Sequence, residues 1–399
     1  LFLLLSIYFI REIEDKIRTL SQEFPAIVLT GARQVGKTTI LKSMFPGYAY
    51  VSLDMPSLAV LAQENSDLFL ARFPPPVIID EVQYAPQLFR YLEIWIDQNR
   101  STKGQIILTG SQKFNLMKEI SESLAGRIAV LELEPLSFHE LSQHNKVNSQ
   151  LILESFERGF YPELWREPNR NSNHYYQSYL ATYIERDVRQ IINITNLLDI
   201  EKFIRLLASR TGQIVEKESL AKDVGIRVPT LNNWLSALEA SNQITFLQPY
   251  YENFGTRLIK SPKVYFSDVG FCSYLLGLDK DSLLKSPILG SLWEDLVFNE
   301  LCKRNQCQEK PGQFWYYRDS LPREGDILYV NKGEVHYIEC KWSQSPEKKS
   351  ATQLATIANS LKSRAVRSGS CSIISRADIS YPVTNSVFTY PLQEFQLPK

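Results

Sequence analysis

The chain has 399 residues, 44% of them hydrophobic and 22% charged, which excludes a disordered chain and suits a soluble protein of two or three domains. Lys and Arg number 44 and Asp and Glu 44, so the formal net charge is zero and any nucleic-acid contact must come from local basic patches. The five cysteines, Cys272, Cys302, Cys307, Cys340 and Cys371, are odd in number and lack metal-type spacing, which fits a reducing compartment without a disulfide framework.

The leading run LFLLLSIYFI has no basic segment before it and no small-residue cleavage site after it; charged REIEDK follows at once. Ten apolar residues are too few to span a bilayer. A buried leading segment and a cytoplasmic location are therefore expected, with no membrane partner. Next come five β-rich runs: AIVLT (26–30), YAYVSL (48–53), VIID (77–80), QIILTG (105–110) and IAVLEL (128–133). Their near-continuous apolar character predicts strands buried on both faces of a parallel sheet. Helical patterns separate them. One spans Pro86–Asn99, with Leu88, Tyr91, Leu92 and Trp95 on one face. This is an α/β nucleotide-binding layout.

GARQVGKT at 31–38 matches G-x-x-x-x-G-K-[ST] in full, between an apolar strand and the helical TTILKSMF. The glycines let backbone N–H groups turn inward around phosphates, and the following helix aims its N-terminal dipole at them. Gly31, Ala32, Arg33, Gln34, Val35, Gly36, Lys37, Thr38 and Thr39 are the expected nucleotide-binding residues. Lys37 reaches the β- and γ-phosphates, and Thr38 ligates Mg²⁺. Downstream, VIIDE (77–81) ends a central strand at its carboxyl edge, where open α/β sheets bind ligands. Asp80 is expected to hold the magnesium-bound water, and Glu81 to orient or deprotonate the attacking water. ILTGS (107–111) offers Thr109 or Ser111 as a γ-phosphate sensor, with a plain strand-exit turn as the alternative. Arg127 is the candidate transition-state arginine, and Arg33 the other; a surface ion pair is the competing reading of each.

GARQVGKTTIL, VIIDEVQYAPQLF, ILTGSQKF and LAGRIAVLELEPLSFHEL together resemble the AAA-type core of a prokaryotic P-loop ATPase family. In that family the core is fused to a C-terminal domain similar to restriction endonucleases. The resemblance covers nearly the whole chain and implies a 5-1-4-3-2 sheet order. The resulting organisation is an ATPase core over 1–135, a helical lid over 136–195, a winged helix-turn-helix over 196–265 and a nuclease-like α/β domain over 266–399. Within the lid, YYQSYLATYIERDVRQII reads as a long helix. In the winged-helix segment the Ala221-x-x-x-Gly225 turn, Leu231 and Leu235 carry the helix-turn-helix spacing, and ITFLQPYYE supplies a first wing strand. Lys217, Lys222 and Arg227 are its cations and Thr230, Asn232 and Asn233 its polar contacts. The expected recognition helix VPTLNNWLSALEAS has no basic residue, which favours a structural module over a sequence reader.

In the last domain, Gly325–Asp326 opens one strand of a hairpin and Glu339-Cys340-Lys341 closes the other. Alternation puts Glu339 and Lys341 on one face and Cys340 on the other. Asp326 and Glu339 are the candidate metal ligands and Lys341 the activating cation, with Glu294 as a further carboxylate. The set resembles the PD-(D/E)XK nuclease core, Gln353 matching an accessory position and Gly325 standing where the proline is usual. An exposed strand with alternating charges is the alternative. His139, His144, His174 and His336 are scattered, and none reads as a ligand. The leading expectation is an ATPase using ATP and Mg²⁺, whose nucleotide state controls the nuclease-like domain on DNA or RNA. A non-catalytic switch for a protein partner and a DNA-binding regulator are the other readings. A homo-oligomer is required if Arg127 acts on a neighbouring copy.

Overall fold

The computed structural model describes residues 8–111, 116, 120–145, 147–183, 197–250, 261–319, 323–362 and 367–398. The chain forms two compact units: Leu1–Leu136 with Tyr161–Glu167 and Ala240–Gln243, and Ser137–Phe160 with Pro168–Glu239 and Ile244–Lys399. This two-part division cuts across the four segments expected from the sequence.

The first unit is built on β1 (Ala26–Thr30), β2 (Ala49–Ser52), β3 (Val77–Asp80), β4 (Ile106–Gly110) and β5 (Ile128–Glu132). All are parallel, in the order β2-β3-β4-β1-β5, which is the 5-1-4-3-2 order implied by the resemblance. Every residue of β1, β3 and β4 is buried, as expected of central strands covered on both faces. The edge strands depart from that expectation. Tyr50 on β2 and Val130 on β5 stay exposed, because an edge strand has a neighbour on one side only. The helix predicted over 86–99 runs Leu88–Gln98, with Leu88, Phe89, Leu92 and Ile96 buried. Tyr91 and Trp95 only border the same core. The face is therefore turned from the predicted one toward Phe89 and Ile96, at spacings that stay on one side of a helix.

In the second unit, helices Ser149–Arg158, Ser172–Tyr183 and Leu197–Ala208 precede a helix pair, Lys217–Val224 and Val228–Ala240. Gly225 ends the first of the pair in the left-handed region (φ 90°), where a side chain is disfavoured. A small antiparallel sheet follows, ordered β6-β8-β7, from β6 (Gln213–Ile214), β7 (Ile244–Leu247) and β8 (Lys263–Phe266). The long lid helix is described only to Tyr183; its remainder and the wing residues 251–260 lie outside the described residues.

The larger sheet comprises β9 (Gln313–Arg318), β10 (Glu324–Asn331), β11 (Glu334–Cys340), β12 (Ser368–Ser375), β13 (Tyr381–Thr384) and β14 (Val387–Pro391). Its order is β13-β14-β12-β11-β10-β9, antiparallel at both margins and parallel from β11 through β12 to β14. Helix Lys348–Lys362 buries Ala351, Leu354, Ile357 and Leu361 against Leu328, Tyr337 and Ile373 of the sheet. The small sheet is fastened to this one where the Tyr250 N–H donates to the Tyr316 carbonyl (2.8 Å) and the Tyr316 N–H to the Gln248 carbonyl (2.9 Å). Among the described residues no helix is long and apolar enough to cross a membrane.

Candidate functional site

In a parallel sheet every strand ends at the same edge, so the loops after β1, β3 and β4 converge. The β1 loop passes through Gly31 (φ 144°), Gln34 (φ 63°) and Gly36 (φ 97°) before helix Lys37–Met44. A Cβ at Gly31 would lie 2.1 Å from the Leu133 carbonyl oxygen, so the first glycine of the motif is fixed by space as well as by backbone angle. Ala32 and Val35 are buried, Arg33 and Thr38 half-buried, and Gln34 and Thr39 exposed. The Lys37 ammonium is buried and donates to the carbonyls of Gly31 and Ala32, both at 2.8 Å. The Arg11 guanidinium braces the loop from outside, donating to the carbonyls of Val35 (3.0 Å) and Glu134 (2.7 Å).

Asp80 ends β3 as a buried carboxylate and gathers three hydroxyls. Thr38 donates to it at 2.7 Å, Tyr50 at 2.8 Å, and Thr109 binds its other oxygen. Burial, reinforced by the Asp80 carboxylate, pushes the Tyr50 phenol well above its ordinary range, so it stays a donor. Glu81 follows in the left-handed region (φ 54°), which turns its carboxylate away from the strand line. There it accepts from the Ser111 hydroxyl (3.2 Å) and from the Gln83 amide. Ser111 thus stands beside Glu81, and Thr109 beside Asp80. Of the two sensor candidates, Ser111 is the one next to the residue expected to handle water.

The structure corrects the expectation for Arg127. This residue precedes β5, and Ile128 pairs with Ala26, so Arg127 lies at the amino edge of the sheet. The phosphate loop begins five residues along β1 at the opposite edge, roughly 15 Å away at the rise of a strand. Its guanidinium is bound to Asp97 (2.8 and 2.9 Å) and lies 3.2 Å from Glu93, the surface ion pair that the sequence left as an alternative. Within one copy, Arg127 does not reach the nucleotide.

The second unit brings together the other candidates. The β9–β10 register shifts between Gly325 and Leu328, across Asp326 and Ile327, an irregularity of the kind that re-aims side chains beside a site. Asp326 accepts from the Cys340 N–H (2.8 Å), which ties it to the end of β11. Glu339 is buried, with one oxygen 2.7 Å from the Lys341 ammonium and the other without a hydrogen-bond partner among the described residues. Glu294, on helix Leu289–Cys307, accepts from Tyr265 (2.6 Å) and from Lys263 (3.0 Å), both on β8. Burial and then the Asp326 charge push the Glu339 carboxyl up to about 8 and the Glu294 carboxyl up to about 7. Burial lowers the Lys341 ammonium, but Asp326 and Glu339 outweigh it and hold the lysine charged, above its ordinary range.

The three carboxylates repel one another, and one of them has an orphaned oxygen. Glu294 and Glu339 are paired with lysines and Asp326 with the Cys340 N–H, and among the described residues no three His, Cys, Asp or Glu side chains form a group that could hold a metal ion. Gln353 donates to the Glu324 carbonyl (3.1 Å) and so positions the start of β10. The sequence reading did not include Arg11, Tyr50, Gln83 or Lys263. Tyr50 and Lys263 come from strands remote in sequence, and nothing local announces them.

Three family models match successive parts of the chain. Residues 23–142 match an AAA domain, 149–282 a domain of unknown function (DUF8612) and 289–395 another (DUF4143). The first unit therefore carries an AAA-type P-loop ATPase core. Two uncharacterized proteins are similar over most of their length. Rv2008c of Mycobacterium tuberculosis is 26% identical, over 96% of this chain and 84% of its own. MJ1544 of Methanocaldococcus jannaschii is 23% identical, over 76% of this chain and 72% of its own. Among solved structures, the Walker-type ATPase paby2304 of Pyrococcus abyssi aligns with a TM-score of 0.45 at 18% identity, covering 67% of this chain and 96% of that one.

Proposed function

We propose that the first unit binds ATP with Mg²⁺ and hydrolyses it, and that its nucleotide state controls metal-dependent phosphodiester cleavage at the carboxylate cluster of the second. The observation that carries this reading is the Thr38 hydroxyl on the Asp80 carboxylate, 2.7 Å apart, with Glu81 and Ser111 beside them. Lys37 leaves its two carbonyls for the β- and γ-phosphates, and the backbone of residues 31–38 cradles them. Thr38 and Asp80 hold the Mg²⁺, which neutralises phosphate charge when bound. Glu81 orients the attacking water and takes its proton, while Ser111 and Gln83 fix the carboxylate.

In the second unit, Asp326, Glu339 and Glu294 would hold a divalent cation, which would supply a water of lowered pKa and polarise a phosphodiester. Lys341 remains charged beside them, and Tyr265 and Gln353 position the surrounding strands. We read the six-stranded sheet as restriction-endonuclease-like and the helix pair with β6–β8 as a winged helix-turn-helix of structural role. The substrate class is DNA or RNA. If Arg127 meets a nucleotide, it is on a neighbouring copy. Steady-state phosphate release, and cleavage of several nucleic acids with Mg²⁺ or Mn²⁺, test the two halves. Asp326→Asn should abolish cleavage and leave ATP turnover unchanged. A second reading, an ATP-driven switch that engages a protein partner without cleavage, is favoured by the neutralisation of Glu294 and Glu339 by lysines. ATP turnover with no cleavage under any metal would select it.

A further inference from the structure

A cavity of about 510 Å³ opens in the second unit between the β6 region and the β9–β10 margin of the large sheet, lined among others by Arg210, Gly212, Glu216, Ser219, Arg318 and Glu324. Its lining is mainly polar, unlike the apolar walls usual for neutral organic ligands. Its charges are unequally engaged. Glu324 lies 2.8 Å from the buried Lys263 ammonium, and Arg210 is paired with the exposed Asp223. The Arg318 side chain is exposed and has no hydrogen-bond or ion-pair partner among the described residues. The same Lys263 ammonium that binds Glu324 also binds Glu294 at 3.0 Å. One lysine therefore joins the wall of the cavity to the carboxylate cluster.

We propose that this cavity is the subsite that holds the phosphate backbone of a single-stranded nucleic acid next to the carboxylate cluster, with Arg318 as its principal cation. The inference rests on the cleavage reading above and adds to it a substrate form and a contact residue. A guanidinium with free donors beside hydroxyl and backbone groups suits phosphate oxygens, which position a chain without reading its sequence. The strand must be single, because a duplex whose major groove alone is about 12 Å wide does not enter a space of 510 Å³. Lys263, shared with Glu294, offsets the Glu324 charge only in part, and the exposed Glu216 adds a second carboxylate to the wall, so the attraction for a phosphate falls to Arg318.

The test uses the full chain and a short fluorescein-labelled single-stranded oligonucleotide in EDTA, where metal-dependent cleavage cannot occur. Anisotropy titrations should show Arg318→Glu binding at least about tenfold more weakly than the parent, with a salt slope smaller by about one. Arg318→Lys should stay close to the parent. The exposed position makes loss of fold an inadequate explanation, and circular dichroism checks it. Equal binding by parent and Arg318→Glu, or no binding by the parent, overturns the subsite. Cleavage with Mn²⁺, compared between parent and Asp326→Asn, is read separately. Arg318-dependent binding without any cleavage would overturn the cleavage reading and leave the subsite standing.

Discussion

The two candidate sites of this chain are built from opposite materials. Around the phosphate loop the important groups are backbone N–H donors and short polar side chains at strand ends, already bonded to one another. Asp80 alone collects Thr38, Tyr50 and Thr109. The carboxylate cluster is assembled from long charged side chains on a helix and several strands, buried and held together by two lysines. The first arrangement is shaped before a ligand arrives and costs little to maintain. The second keeps like charges close in a poorly solvated place and is stable only while a cation stands among them.

The sharpest way to test the first half of that contrast is Lys37→Ala against Glu81→Gln. Removing the buried ammonium should abolish ATP binding in calorimetry and reduce turnover roughly 10³-fold or more. Glu81→Gln should bind ATP like the parent and lose about 10²–10⁴-fold in steady-state phosphate release, the usual contribution of a positioned base. Parental turnover in both variants would mean that hydrolysis takes place elsewhere.

The second half predicts a stability that depends on pH and metal. Glu339 and Glu294 have carboxyls raised to about 8 and about 7 in the folded chain, from an ordinary 4.5. Between about pH 5 and 8 the folded state therefore keeps protons that the unfolded chain has released, so stability falls as pH rises through that window. The raised lysines contribute throughout this range and do not alter its slope. In EDTA the unfolding midpoint should fall by on the order of 5 °C from about pH 5 to pH 8. Mn²⁺ should restore most of it at the upper end, and Glu339→Gln should flatten the slope. A midpoint indifferent to metal at pH 8 would show the lysines to be the cluster's permanent counter-ions.

Arg127 is expected to matter far less. It lies at the amino edge of β5 and is bound to Asp97, so Arg127→Ala should change turnover by less than about twofold in a single copy, surface pairs of this kind contributing little. A large loss that grows with protein concentration would instead reveal a neighbouring copy at the site.

The difference between the sites also explains what the sequence disclosed. Gly31 sits where a Cβ would strike the Leu133 carbonyl and Gly36 takes a φ of 97° that side chains rarely adopt, so the phosphate loop survives as a fixed spacing that can be read directly. Buried β1, β3 and β4 were likewise legible, because continuous apolar runs leave few alternatives. The carboxylate cluster showed only its hairpin, Asp326 with Glu339 and Lys341. Lys263 joins from a strand some sixty residues earlier, fixed by tertiary packing that no local pattern encodes. Arg127 misled because LAGR precedes a strand of the right sheet, and only the strand direction shows that it is at the wrong end.

Tyr50 gives the finest test. Its hydroxyl donates to Asp80 at 2.8 Å from an edge strand, with the Lys42 ammonium 3.4 Å from the ring centre. A hydrogen bond to a charged acceptor contributes about 1.5–3 kcal/mol when buried, and this half-exposed phenol should fall at or below the lower end. Tyr50→Phe leaves Asp80 with Thr38 and Thr109 and a carboxylate freer to turn from the metal. The Mg²⁺ concentration for half-maximal turnover should rise roughly fivefold, with the rate at saturating Mg²⁺ unchanged. That separation is the informative outcome, because a residue that only orients the carboxylate is compensated by more metal. A maximal rate that stays depressed at saturating Mg²⁺ would place the tyrosine in the chemical step, and the nucleotide site would then share the cluster's dependence on a residue that no motif contains.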